Sequence, residues 1–141
     1  MSANWHGTAT TLITTASPGW EGIWALTYAA GFGALQLALS VPLGVGVSIS
    51  YAAMDFRDAQ DELEWARPGL RASGTPVRLG HVRDPADTTE ARVILDRLAG
   101  AALNHAAALA EVETDLADQA ALSRVMSRLI TARAKVTGRW A

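Results

Sequence analysis

No charged side chain occurs between Glu21 and Asp55, a run of thirty-three residues. At about 1.5 Å per residue, a helix needs roughly 20 apolar residues to cross a hydrocarbon core ~30 Å thick, and Trp24 to Ala53 is longer than that. The first Lys or Arg is Arg57, so all twelve strong positive charges fall in the last 85 residues. The run therefore reads as one transmembrane segment over 21–54. The positive-inside bias then predicts a single-pass cell-membrane protein with its N-terminus outside and its C-terminus cytoplasmic. Two rival readings use the same residues. One is a re-entrant loop bent at Pro42-Leu43-Gly44, with both ends on one side of the bilayer. The other is a helix buried inside a soluble assembly, since Gly31, Gly33, Gly44 and Gly46 lower helix propensity and the run is only moderately apolar.

Residues 1–20 carry no basic n-region and are rich in Ser and Thr, which predicts a short, poorly structured polar tail ending at the Ser17-Pro18-Gly19 turn signal. Aromatic residues stand where interfacial belts belong: Trp20, Trp24 and Tyr28 at one end, Tyr51 at the other. Within the span, Gln36, Ser40, Gly44 and Ser48 recur every fourth residue, which on one continuous helix lays them along a single face. Small residues there permit close backbone approach and Gln36 can hydrogen-bond across the contact, so the row is a candidate helix–helix interface. Pro42 removes a backbone donor and predicts a kink near Ala38.

After the span, charge is arranged in blocks. Residues 55–67 read as a juxtamembrane acidic helix that stops at Arg67-Pro68-Gly69, and 68–86, with three Pro and three Gly, as a linker. From residue 87 to 141 the apolar positions recur at threes and fours, from Ile94 through Leu116 and again from Leu122 to Val136, with Gly138 as a stop. This module is either one long coiled-coil-like helix of about fifty residues or a hairpin turning near Glu113-Thr114-Asp115. Residues 84–118 hold eight acids and two Arg, whereas 119–141 hold five bases and no acid. A hairpin would set those blocks face to face. The predicted class is thus all-α, one transmembrane helix followed by a cytoplasmic helical module.

Several functions are excluded by what is missing. A net charge of −2 lacks the basic footprint that phosphate neutralisation needs, so no nucleic-acid partner is expected. With no cysteine there is no disulfide, thiolate metal site or cysteine nucleophile. His6, His81 and His105 show no ligand spacing, Gly31-Phe-Gly33 and Gly44-Val-Gly46 lack the third glycine of a dinucleotide loop, and Glu111 and Glu113 lie on different helix faces. No catalytic, cofactor-binding or metal-binding residue is expected, and no cofactor. The function expected from the sequence is a non-enzymatic, membrane-anchored helical adaptor or accessory subunit of a bacterial membrane complex. Its partners would be membrane lipid and a homo-oligomer or larger membrane complex. A holin-like pore and a soluble scaffold subunit that buries the apolar helix are the alternatives.

Overall fold

The chain is described here from a computed structural model covering residues 2–82 and 85–138, with side chains described from Trp5 to Val82 and from Thr88 to Gly138. The described residues form six helices and no strand. Pro42 decides the architecture. It drives Val41 into the extended region (φ −115°, ψ 162°), as steric conflict with a following proline requires, and the helix ends there. The uncharged run is therefore divided between α2 (Trp20–Ser40) and α3 (Leu43–Ala66). These pack side by side in opposite directions, with the Trp24 indole donating to Glu64 Oε2 at 2.9 Å and Gly31 lying against Phe56. The expectation of one helix through 21–54, merely kinked, is corrected on this point: the proline reverses the chain. Gly46 makes the tight corner possible, since a Cβ there would stand 2.9 Å from the Ala38 carbonyl oxygen.

The first residues also depart from expectation. Instead of an unstructured tail they form α1 (Ser2–Thr15). Trp5, Ala9 and Leu12 lie at i, i+4 and i+7, and all three are buried. The Thr14 and Thr15 hydroxyls donate back to the carbonyls of Thr10 and Thr11. Tertiary contact stabilises this helix more than propensity does, because the Trp5 indole is fully buried and donates to the Gly80 carbonyl at 2.9 Å.

α3 stops at Arg67-Pro68-Gly69, and α4 (Leu70–Ser73) turns the chain into an extended segment, 74–82, that climbs back along α2. Its course is fixed by Gly74 against Trp24, Arg78 Nε donating to the Tyr28 hydroxyl at 3.1 Å, and Leu79 against Gly33. α5 (Pro85–Val112) and α6 (Leu116–Thr137) complete the bundle. Asp115 caps α6 by accepting from the Asp118 backbone N–H at 3.1 Å, and Gly138 closes it in the left-handed conformation at φ 78°. The four long helices form a ring in which α2 touches α3 and α5, and α6 touches both of those; α1 packs on α5. The helix expected to lie in lipid is the innermost one: Ile23, Leu26, Ala29, Ala30, Ala34 and Leu37 of α2 are all fully buried.

Charge pairs knit α3 to α6. Asp55 meets Lys135 at 2.6 Å, Asp58 meets Arg128 at 3.8 Å, Glu62 meets Arg124 at 2.9 Å, and Arg67 meets Asp118 at 2.8 Å. Across α5 and α6 the blocks of opposite sign meet where Asp96 pairs with Arg133. The remaining described bases of α6 turn to the acids of α3, because the ring places α3 on the other flank of α6.

Candidate docking surface

Ser48 Oγ donates to the Lys135 carbonyl at 3.0 Å, so the last turns of α6 meet α3 at the level of Ser48. The first turn of α3 and the last turn of α2 extend past that level and lose their neighbours. Leu39 is 74% exposed and Leu43 85%, and Val45 and Val47 also face solvent. Leu43, Gly44, Val45 and Val47 cover most of the circumference of the helix, so the tip is apolar on nearly every side. Leu35, Tyr51 and Met54, all exposed, extend the surface down the outside of the hairpin. Below Tyr51 come the first charges, Asp55 paired with Lys135, and Arg57 paired with Asp61 at 3.4 Å. Lys135 Nζ stands 5.7 Å from the centre of the Tyr51 ring, which sets that aromatic at the boundary between uncharged tip and charged body.

The row Gln36, Ser40, Gly44 and Ser48 does not form one face. The reversal at Val41-Pro42 leaves Gln36 and Ser40 on α2, and Gly44 and Ser48 on α3. Ser40 Oγ donates to its own helix at the Gln36 carbonyl (2.7 Å), Ser48 bonds α6, and Gly44 has open space around it. Gln36 Oε1 is buried without a partner among the described residues. Close backbone approach falls to Gly46 rather than Gly44.

The aromatic residues divide as well. Trp24 is buried and stacks on Tyr28 with ring centres 5.1 Å apart; Tyr28 stacks in turn on Phe32 at 6.2 Å. Trp20 is half-buried beneath the Arg67 guanidinium, which stands 4.6 Å over its ring. The hydrogen bonds that Arg67 donates to the Asp118 carboxylate raise its pKa above the ordinary value against the opposing effect of burial, and those that Arg133 donates to Asp96 do the same for Arg133. A raised folded-state value contributes stability that is fully present below the unfolded value, so both pairs hold their cation throughout the neutral range. Of the aromatics expected at an interface, Tyr51 is the exposed one.

Concave features are shallow. One of them, about 600 Å³, lies between α1 and the extended segment and is lined by Gly7, Thr8, Thr11, Leu12, Thr15, Thr75 and Val77, none of them titratable. Among the described residues no three His, Asp or Glu are grouped to hold a metal ion. His6 and His81 are exposed, and His105 is half-buried on α5. α2 is the one described helix long and apolar enough to cross a membrane by length and composition. Comparison with protein-family models, curated proteins and solved structures finds no match to this chain.

Proposed function

We propose that this chain is a non-enzymatic helical adaptor that attaches to a lipid surface through the tip of the α2–α3 hairpin and holds the rest of the bundle clear of the bilayer. The observation that carries the reading is the order of side chains along the hairpin. Aliphatic residues occupy the tip around most of its circumference, Tyr51 follows, and paired charges come next. That is the depth order of an interfacial anchor, with apolar atoms innermost, an amphipathic aromatic at headgroup level, and charge in water. A protein partner would need a closed socket to cover so convex a tip, whereas lipid covers it without one. From Leu43 to Val47 the helix rises about 6 Å, within the 5–10 Å that interfacial helices bury. Deeper entry is opposed by the backbone of the turn, because α3 begins without a side-chain cap and its free N–H groups need water or headgroups.

This reading places both chain ends on one side of the membrane and keeps α2 in the bundle core, in place of a single-pass topology. Sedimentation of the purified chain with phosphatidylcholine vesicles tests it. The parent chain should pellet with lipid, and Leu43→Asp/Val45→Asp should stay in the supernatant with its helical circular dichroism intact. Equal pelleting of the two removes the tip as the anchor. Concentration-dependent self-association without lipid, abolished by the same variant, would instead favour the scaffold reading. Release of an entrapped dye by the parent chain would favour the pore.

A further inference from the structure

The opposite end of the bundle carries a second uncovered apolar surface, and its electrostatic surroundings differ from those of the tip. Trp65, on the last turn of α3, is 83% exposed, and Val112 and Leu116 on either side of the α5–α6 turn are 74% and 79% exposed. The ion pair between Arg67 and Asp118 brings the end of α3 against the start of α6, so Trp65 and Leu116, each two residues earlier, share that end. A tryptophan this open, among other uncovered aliphatics, is unusual on a surface that touches only water. We infer that this end docks a basic amphipathic segment of a protein partner, with Trp65 and Leu116 receiving its apolar face and the surrounding carboxylates its Lys or Arg residues.

Charge selects this occupant. Glu111, Glu113 and Asp115 bracket the turn. Glu113 and Asp115 accept backbone N–H bonds from Asp115 and Asp118, which orient both carboxylates without neutralising them. Of the bases nearby, Arg67 is held by Asp118 and covers Trp20, and Arg124 is held by Glu62; Arg71 of α4 is exposed without an ion pair among the described residues, so the three carboxylates of the turn outnumber the open cation at this end. An acidic peptide or an anionic lipid would be repelled here, and a neutral apolar segment would leave the carboxylates unanswered. Beside this end lies an open cleft of about 290 Å³ lined by Trp20, Glu21, Arg67, Pro68 and Leu70, with the Arg67 guanidinium already held by Asp118. The α6 helix, 22 residues long, separates the two ends by about 33 Å, so a bundle seated on lipid by its tip presents this surface on the side facing away. The two surfaces then make a bridge, lipid at one end and a basic segment at the other.

The test uses the full chain and two synthetic 18-residue amphipathic helices of equal apolar content, one with Lys on its polar face and one with Glu, titrated by fluorescence anisotropy without lipid. The Lys peptide should bind and the Glu peptide should not, and raising the salt from about 0.05 to 0.5 M should weaken binding at least tenfold. Trp65→Ala/Leu116→Ser should weaken it tenfold or more, and Glu111→Lys threefold or more. These positions are exposed, so circular dichroism and melting temperature should match the parent. Leu43→Asp/Val45→Asp should bind the Lys peptide as the parent does, which separates this surface from the tip. Absence of Lys-peptide binding, equal binding of the Glu peptide, or parental affinity in Trp65→Ala/Leu116→Ser would each overturn the inference.

Discussion

Removing one carboxylate at a time from α3 separates two kinds of charge pair that look alike on paper. Asp55 and Lys135 meet at 2.6 Å with side chains 9% and 18% exposed, whereas Asp58 and Arg128 meet at 3.8 Å with both side chains 50% exposed. Breaking a fully buried pair by deleting one partner costs about 3–5 kcal/mol, because the remaining charge stays desolvated. Lys135 keeps some contact with water and can lean on the Tyr51 ring, so Asp55→Ala should cost about 2 kcal/mol. For a chain of this length that lowers the melting temperature by about 6–8 °C. Asp58→Ala breaks an exposed pair worth about 0–1 kcal/mol and should shift the midpoint by at most ~3 °C. Both substitutions gain similar helix propensity, so that contribution cancels in the comparison. Thermal unfolding followed by circular dichroism reads the difference, and a cycle of Asp55→Ala, Lys135→Met and the double variant isolates the coupling. The double variant should recover at least about 1 kcal/mol relative to the sum of the singles. Equal shifts for Asp55→Ala and Asp58→Ala, or coupling below about 0.3 kcal/mol, would refute the claim that burial sets the worth of these pairs.

Gly46→Leu should destabilise the fold by about 1–3 kcal/mol, since its Cβ would press on a backbone carbonyl that cannot swing away. Gly44→Leu, with open space around it, should be neutral or gain up to about 0.8 kcal/mol from helix propensity, and the two are compared by urea unfolding. Trp5→Ala removes a fully buried indole at a cost of about 3–5 kcal/mol and should free α1 before the bundle opens, seen as early proteolytic cleavage within residues 2–15. Leu43→Asp/Val45→Asp should change the melting temperature by no more than about 2 °C in the absence of lipid, because both side chains already face water. Partitioning should respond strongly to that variant. Two aliphatic side chains replaced by carboxylates forfeit about 6 kcal/mol at a lipid interface, on the order of 10⁴-fold, read as the lipid concentration needed for half-maximal pelleting.

The all-helical class was legible because apolar periodicity near 3.6 runs through most of the chain, and the stops at Arg67-Pro68-Gly69 and Gly138 follow from the backbone limits of proline and glycine. α1 was hidden because three widely spaced buried positions, Trp5, Ala9 and Leu12, among Ser and Thr are too few to show a period, and the contacts that bury Trp5 come from Gly80 and Gly33, far along the chain. The pairing of α3 with α6 was hidden for a different reason. Charge blocks reveal sign but not adjacency, and the nearest block in sequence is not the nearest in a ring of four helices. The apolar tip left no pattern of its own, since Leu39 and Leu43 look like any core leucine until the end of α6 at Thr137 shows where the neighbours stop.

The charge-free run carries two demands that a single helix could not meet together in water. Thirty-three residues without charge must be removed from solvent, and the glycines among them make a long unsupported helix weak. Reversal at Pro42 lets the run bury much of itself, α2 against α3, with α5 and α6 covering other faces. The acids that follow directly on α3 pair with α6 and lock that cover in place. What remains exposed is the corner where the reversal occurs, because no helix can cover the end of a hairpin longer than its neighbours. The location of the apolar tip is thus a geometric consequence of proline position and helix length. That it consists of Leu, Val and Tyr, where exposed Lys or Glu would leave the core untouched, is the feature that the proposed lipid-facing role would account for. Replacing the exposed tip residues with Lys and Glu should therefore leave the bundle folded while abolishing vesicle binding. A variant that instead loses its fold would show that the tip serves stability, and the anchor would have to be sought elsewhere.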